Sequence, residues 1–192
     1  MTCGFHDASG RCLALSYILK DRRVTWMRFR LSESLLLRPA TESDVPGIVA
    51  LVDAAYREYG DRVHLDDADR DLLTAHTNYA AMGGEFVVLV AGEQIVGTHA
   101  IVPLAAPPGV CTFRRLYLAA ELRGTGAGEQ LMQWAVARAV ELGFRRVEFW
   151  SDTRFVRAHR FFAKYGFVRD GRTRTMHDSW EPYREYFYWR DL

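Results

Sequence analysis

The residues of this chain best suited to chemistry are six in a row, Arg123-Gly124-Thr125-Gly126-Ala127-Gly128. Glycine lets a backbone approach a ligand closely and take dihedrals that other residues avoid. An apolar run, Leu116-Tyr117-Leu118, leads into the stretch, and an amphipathic run from Glu129 to Leu142 leads out. The order is therefore strand, short loop, glycine turn, helix. The first amides of a helix lack partners within it, and the macrodipole adds partial positive charge there, so the turn suits an anion, phosphate above all. A Walker loop would need Lys-Ser/Thr after its last glycine, but Gly128 is followed by Glu129-Gln130. A dinucleotide turn counted from Gly124 would need glycine where Glu129 stands. It would also follow its strand directly, whereas Ala119-Ala120-Glu121-Leu122 intervene. What remains is Arg-x-x-Gly-x-Gly.

Other chemistries find no pattern. There is no G-x-S-x-G nucleophile elbow, and the six histidines show no zinc spacing, so no metal is expected. Glu148 and Asp152 are close in sequence, yet their spacing does not make an acid/base pair, and structural or solvated roles are expected. His99 falls in a strand, where a hydrogen-bonded structural role is expected, and His76 is expected at the surface. The three cysteines, Cys3, Cys12 and Cys111, have neither metal nor redox spacing.

Composition sets the frame for this turn. With 192 residues, 49% hydrophobic and 26% charged, the chain suits one globular domain with a substantial core. A net charge of +1 favours neither nucleic acid nor an anionic membrane. No apolar run reaches the ~18 residues of a membrane span, and the basic residues near Leu13 to Leu19 mostly follow it, unlike a signal peptide. A cytoplasmic location is expected. Residues 1–34 lack a sustained period and read as an extension or an early start, with Met27 a sensible alternative beginning.

The elements that must position the turn follow in order. Leu35 to Arg38 reads as a first strand. Thr41 with Asp44 three residues on reads as a capping pair, and Ile48, Leu51, Val52 and Ala55 share one face of the next helix, which Gly60 stops. Asp66 to His76 is expected as a second short helix. Phe86 to Val90 and Gln94 to Val102 form a hairpin around Gly92-Glu93. In a fourth strand, Thr112 to Leu118, alternation puts Phe113, Arg115 and Tyr117 on one face and Thr112, Arg114, Leu116 and Leu118 on the other. Arg145 to Ser151 is a fifth strand, Arg154 to Tyr165 a last helix. Phe167 to Arg169 and Tyr183 to Trp189 are sixth and seventh strands, with 172–182 crossing between them.

Taken together, the glycine turn, the strand Arg115-Leu116-Tyr117-Leu118, the strand Val147-Glu148-Phe149-Trp150 and the segment Ala158 to Phe167 resemble the GNAT superfamily of N-acetyltransferases. The last of these is similar to the family's A-x-x-L-Y-x-K-x-G-F. The resemblance covers roughly residues 35–192 and implies an α/β (α+β) fold. Its central sheet would be mixed but mainly antiparallel, of about seven strands, flanked by helices and splayed between strands four and five. It implies transfer of an acetyl group from acetyl-CoA to a primary amine, without metal, by a monomer or homodimer. By the same resemblance Arg123, Gly124, Thr125, Gly126, Ala127 and Gly128 hold the pyrophosphate. Backbone groups at Tyr117 and Leu118 hold the pantetheine and polarise the thioester, while Ser151 and Phe162 lie near the splay.

The chain departs from the family pattern in three places. Phe162 stands where a tyrosine general acid is usual, Phe155 where an asparagine is, and Thr112 where many relatives have a glutamate. General acid and base are thus unassigned, with His159 and Tyr165, one helical turn either side of Phe162, as candidates. A non-catalytic acyl-CoA sensor on the same fold is the alternative. For the acceptor, Tyr56, Glu58, Tyr59 and His64 after the first helix are candidates, as are His177, Asp178 and Trp180. Arg114 and Arg115 would either pair with an acceptor carboxylate or be solvated charges at a sheet edge, the latter being preferred.

Overall fold

The computed structural model describes residues 35–192, together with the backbone of three two-residue strands, Phe5–His6, Cys12–Leu13 and Phe29–Arg30. Apart from those strands, the expectations for 1–34 and for a start at Met27 lie outside the described residues. The elements run β1 (Leu35–Pro39), α1 (Val45–Arg57), α2 (Ala75–Ala81), β2 (Glu85–Ala91), β3 (Gln94–Pro103), β4 (Val110–Leu118), α3 (Ala127–Glu141), β5 (Arg146–Asp152), α4 (Val156–Lys164), β6 (Val168–Met176) and β7 (Tyr183–Asp191). They build one sheet in the order β1-β2-β3-β4-β5-β7-β6, with Phe29–Arg30 added beside β1.

Every neighbouring pair is antiparallel except β4 with β5, a parallel join that needs a crossover, supplied by α3. These two strands are in register only at Val110↔Arg146 and Cys111↔Val147. Beyond Cys111 they part, which is the expected splay.

Alternation sorts the core onto the two faces of the sheet. Ile48, Leu51 and Val52 of α1 and Tyr79 of α2 pack on Phe86, Val88 and Val90. On the opposite face Leu131 of α3 meets Val87 and Leu89, and Met132, Ala135 and Ala139 meet Phe113, Val147 and Phe149.

The entry to α1 is fixed by one carboxylate. Asp44 accepts from the Thr41 amide and hydroxyl, both at 2.7 Å, and takes a bidentate pair from Arg38 at 2.6 and 2.7 Å. Burial opposes its charge, but the bonds from Arg38 and Thr41 outweigh this and bring its pKa down to about 2. A carboxylate with a depressed folded pKa stabilises fully above its unfolded value and loses that contribution as pH falls through the folded one. Asp44→Asn should therefore cost about 2 kcal/mol near neutrality. The gap to the parent should close between about pH 4 and pH 2; urea midpoints measured across that range check it, and a gap independent of pH counts against it.

Two segments differ from expectation. No helix spans 66–76. Asp67 N and Asp69 N both donate to the His64 carbonyl, the Asp69 carboxylate accepts from His64 N, and a 3-10 turn at Arg70–Thr74 precedes α2. Local closure by aspartate outcompetes helix there. The stretch 172–176, expected within a crossing loop, continues β6 along β7. Arg174 pairs with Glu185 across the ladder at 2.6 Å, and Arg172 lies over the Phe187 ring at 3.5 Å. Cross-strand pairs hold a polar edge strand that has no apolar period to announce it.

Candidate active site

The fourth strand carries a bulge. Its pairing with β3 slips from Ala100↔Arg114 to Thr98↔Tyr117, so His99 faces both Arg115 and Leu116. Arg115 has φ of 53°, unusual for a side-chain-bearing residue, and the Thr98 hydroxyl donates to its carbonyl at 2.7 Å. The slip breaks the expected alternation. Phe113 packs toward α3 while Tyr117 packs toward α1.

Arg115 is no solvated edge charge. Its side chain is 8% exposed, and Nη1 meets Asp69 at 2.6 Å. Nε and Nη2 both reach Asp71, and Nη2 also donates to the Ala68 carbonyl at 2.9 Å. Tyr117 donates to the Tyr56 hydroxyl at 3.2 Å, and Tyr56 to Asp69 at 3.1 Å. Burial opposes the charge on Arg115, but Tyr117, Asp71, Tyr56 and Tyr79 more than offset it, so the guanidinium stays protonated. The network ties the segment between α1 and α2 to the bulge.

Where β4 and β5 part, a cleft is lined by residues of both faces of the sheet. On the α3 and α4 side it is lined by His99, Phe113, Met132, Phe149 and Phe162. On the α1 side lie Tyr56, Arg114, Arg115, Tyr117 and Asp69, with Trp150, Asp152 and Glu185 continuing that wall from β5 and β7. Phe162 packs edge-on to Phe149 at 4.7 Å, and Ser151 is a buried lining residue.

The glycine turn follows β4 by one short loop and opens α3. Gly124 and Gly126 have φ of 81° and 94°, and a Cβ at either would meet no atom within 4 Å. No side chain caps α3, and its first internal bond is Gln130 N to Gly126 O at 3.1 Å. The amides of Ala127, Gly128 and Glu129 are thus left for an outside acceptor, while Thr125 N already donates to Leu122 O at 3.3 Å. A Cβ on Gly128 would lie 3.4 Å from Leu118 of β4 and 3.9 Å from Phe161 of α4, so the helix start, with Ala127 buried, sits between the end of β4 and α4. The Thr125 hydroxyl donates to Leu122 O at 2.8 Å, closing the turn. Arg123 acts as a brace: it forks onto Glu58 at 2.6 Å and reaches Leu118 O at 3.2 Å.

Neither His159 nor Tyr165 is among the cleft-lining residues. His159 stacks on Tyr188 with Nδ1 2.9 Å from its hydroxyl, and burial lowers its pKa. Burial raises the Tyr165 pKa, and the charge of Glu129 on the first turn of α3 adds to it. Of the acceptor candidates, Tyr56 lines the cleft, whereas Tyr59 packs on Phe155 and Glu58 holds Arg123. His64 packs against Trp180 at 4.7 Å between ring centroids, and Arg62 lies over the same ring at 3.8 Å. Asp61 pairs with Arg154 at 2.8 Å and accepts from Ser179 at 3.2 Å, so the loop after α1 is strapped to the β6–β7 loop across the acceptor side. Glu148 pairs with Arg146 and Asp152 with Arg154, two separate structural pairs, as expected.

Two residues carry more than their sequence suggested. His99 is fully buried with both ring nitrogens unpartnered, and burial drives its pKa down to about 3, so it is a neutral imidazole in the cleft wall. The expected hydrogen bonds are missing because Phe113 and Trp134 surround the ring. Glu185 lines the cleft with its pKa raised by burial first; Arg174 pulls the other way, and the charges of Asp178 and Asp152 add to the rise. Alternation along the last strand, with Tyr183 and Phe187 at the positions two either side, is the one sequence signal that could have singled it out.

A family model described as the acetyltransferase (GNAT) family matches residues 48–167. The chain belongs to that family. It is therefore an acyltransferase that moves acetyl groups. The uncharacterized N-acetyltransferase YjgM of Escherichia coli (strain K12) is 28% identical over 118 residues, which are 59% of this chain and 70% of that protein. An acetyltransferase structure from Streptococcus agalactiae 2603 covers 84% of this chain and all of its own at 15% identity, with a TM-score of 0.71. A GNAT-family acetyltransferase from Staphylococcus aureus Mu50 covers 83% of this chain and 99% of its own at 19% identity, with a TM-score of 0.68. These two likenesses establish the GNAT fold. Among the described residues, no group of three metal-ligating side chains exists, and no helix is long and apolar enough to cross a membrane.

Proposed function

We propose that this chain transfers acetyl directly from acetyl-CoA to a primary amine, in a reducing, cytoplasmic setting. The observation that carries the reading is the uncapped start of α3, with open space above Gly124 and Gly126, beside the end of β4. Those amides suit a pyrophosphate, and the arm beyond it would run between β4 and β5 past Phe113, Phe149 and Phe162. The bound co-substrate supplies an activated thioester. The chain's part is to hold both partners in reach and to present an amide, freed from the ladder near the bulge, to the thioester carbonyl. A thiol of pKa ~8.5 leaves tolerably as thiolate, so phenylalanine at 162 is compatible with turnover.

The proton of the ammonium acceptor must go to a base, and Glu185 is the group proposed. It lines the acceptor wall, and its raised pKa makes it a better base than an ordinary carboxylate. Glu185→Gln should lower kcat by roughly 10²-fold, with acetyl-CoA affinity unchanged. A base works deprotonated, so kcat/KM of the parent should rise with pH through the raised Glu185 pKa, and that acidic limb should vanish in the variant. A variant that keeps both rate and limb removes Glu185 from the role.

The reading as a whole is tested by incubating the protein with acetyl-CoA and a panel of amines and following release of the CoA thiol. Tight acetyl-CoA binding with no thiol release from any amine would instead favour the sensor.

A further inference from the structure

Seven charged side chains line the cleft: Asp61, Asp69, Asp152, Glu185, Arg114, Arg115 and Arg154. Six of them have a counter-ion. Arg115 takes Asp69, Arg154 takes both Asp61 and Asp152, and Glu185 takes Arg174 from β6. Arg114 is the exception: among the described residues no carboxylate or ring pairs with it, and it is exposed. Its position in β4 is fixed by the pairing with Ala100, one residue before the bulge. The bulge thus divides two consecutive arginines by role. Arg115 is turned into a buried network, and Arg114 is left beside the parting of the strands with its fork of donors unfilled.

We propose that the acceptor is a small amine bearing a carboxylate, and that Arg114 is the residue that reads the carboxylate. This rests on the transfer reading above. Elsewhere in the wall carboxylates outnumber guanidiniums: Asp61 and Asp152 share Arg154, and Asp69 and Asp71 share Arg115, so Arg114 stands as a lone cation beside an acidic surplus. A bare amine would answer that surplus and leave Arg114 without a counter-ion. An amine with a carboxylate answers both, its carboxylate through a two-pronged pair with Arg114 and its ammonium end at the acidic groups of β5 and β7. The straps from Asp61 to Arg154 and Ser179, and from Arg62 to Trp180, cross the acceptor side and narrow it. A small molecule passes such a mouth more readily than a folded polypeptide.

The test compares amino acids with their own carboxamides and with the amines obtained by removing the carboxylate, using thiol release as readout. The parent should favour the carboxylates by ~10- to 100-fold in kcat/KM, mostly through KM. Arg114→Ala should collapse that ratio toward one without changing acetyl-CoA affinity, Arg114→Lys should keep part of it, and Arg114→Glu should shift preference to diamines. A parent that does not discriminate, or an Arg114→Ala variant that retains the ratio, overturns the proposal. Calorimetric titration of the same ligands into the CoA-loaded protein reads anion preference without turnover. Preference there that depends on Arg114, with no thiol released from any amine, would keep the proposed site and remove the transfer reading. Turnover of amines with no such preference would do the reverse.

Discussion

Gly126→Val should abolish acetyl-CoA binding while the protein remains folded. Gly126 holds φ of 94° at the N-cap of α3, a conformation β-branched residues strongly avoid. The new side chain would enter space that no protein atom occupies and that the phosphates are proposed to fill. Backbone strain of this kind costs about 1–3 kcal/mol, which a marginally stable domain can survive. The control lies at the other end of the same helix. Gly143 has φ of 85° and equally open surroundings, so Gly143→Val imposes like strain far from the anion site. Calorimetry and thermal melting on both variants decide the matter. Similar losses of stability with affinity lost only for Gly126→Val is the expected result, whereas unchanged affinity in Gly126→Val would remove the basis for placing the pyrophosphate there.

Arg115→Ala should be the most destabilising single change considered, at about 3–5 kcal/mol. It leaves Asp69 and Asp71 facing a buried space with no cation, and an uncompensated buried charge is what makes breaking such a pair costly. Arg115→Met, which preserves volume, should rescue little, because the carboxylates remain. Adding Asp69→Asn and Asp71→Asn to Arg115→Met should recover a large part. Urea unfolding measures all three. A loss below ~1 kcal/mol in Arg115→Ala would be that of a surface pair and would show that the network is solvated in solution. Activity should fall further than stability alone requires, since the same side chain anchors the bulge beside the reacting groups.

Much of this was legible from local pattern. The glycine turn declared itself because the residues that permit its backbone, with φ of 81° at Gly124 and 94° at Gly126, are written in sequence. The strands of the sheet followed from alternation, and the Thr41–Asp44 cap from its spacing. What escaped was whatever depends on partners far along the chain. Arg115 and Arg114 are equivalent as letters; only the one-residue slip against β3 and the arrival of Asp69 and Asp71 tell them apart. The aspartates that make 66–76 look like a helix start are the same ones that unmake it, because they answer that arginine and the His64 amide. His159 and Tyr165 were chosen by their distance from Phe162 along a helix, and spacing alone could not say that His159 stacks on Tyr188 of the last strand. Glu185 read as one more polar residue in a strand until the register set it opposite Asp152.

The parting of β4 from β5 also leaves each strand, beyond Cys111 and Val147, with one side that no neighbouring strand covers. In the middle of a sheet that is an unfinished edge, a row of backbone donors and acceptors facing a gap. An extended molecule carrying amides of its own would complete the ladder where the chain stops short, so the co-substrate proposed above would serve as a missing strand as much as a reagent.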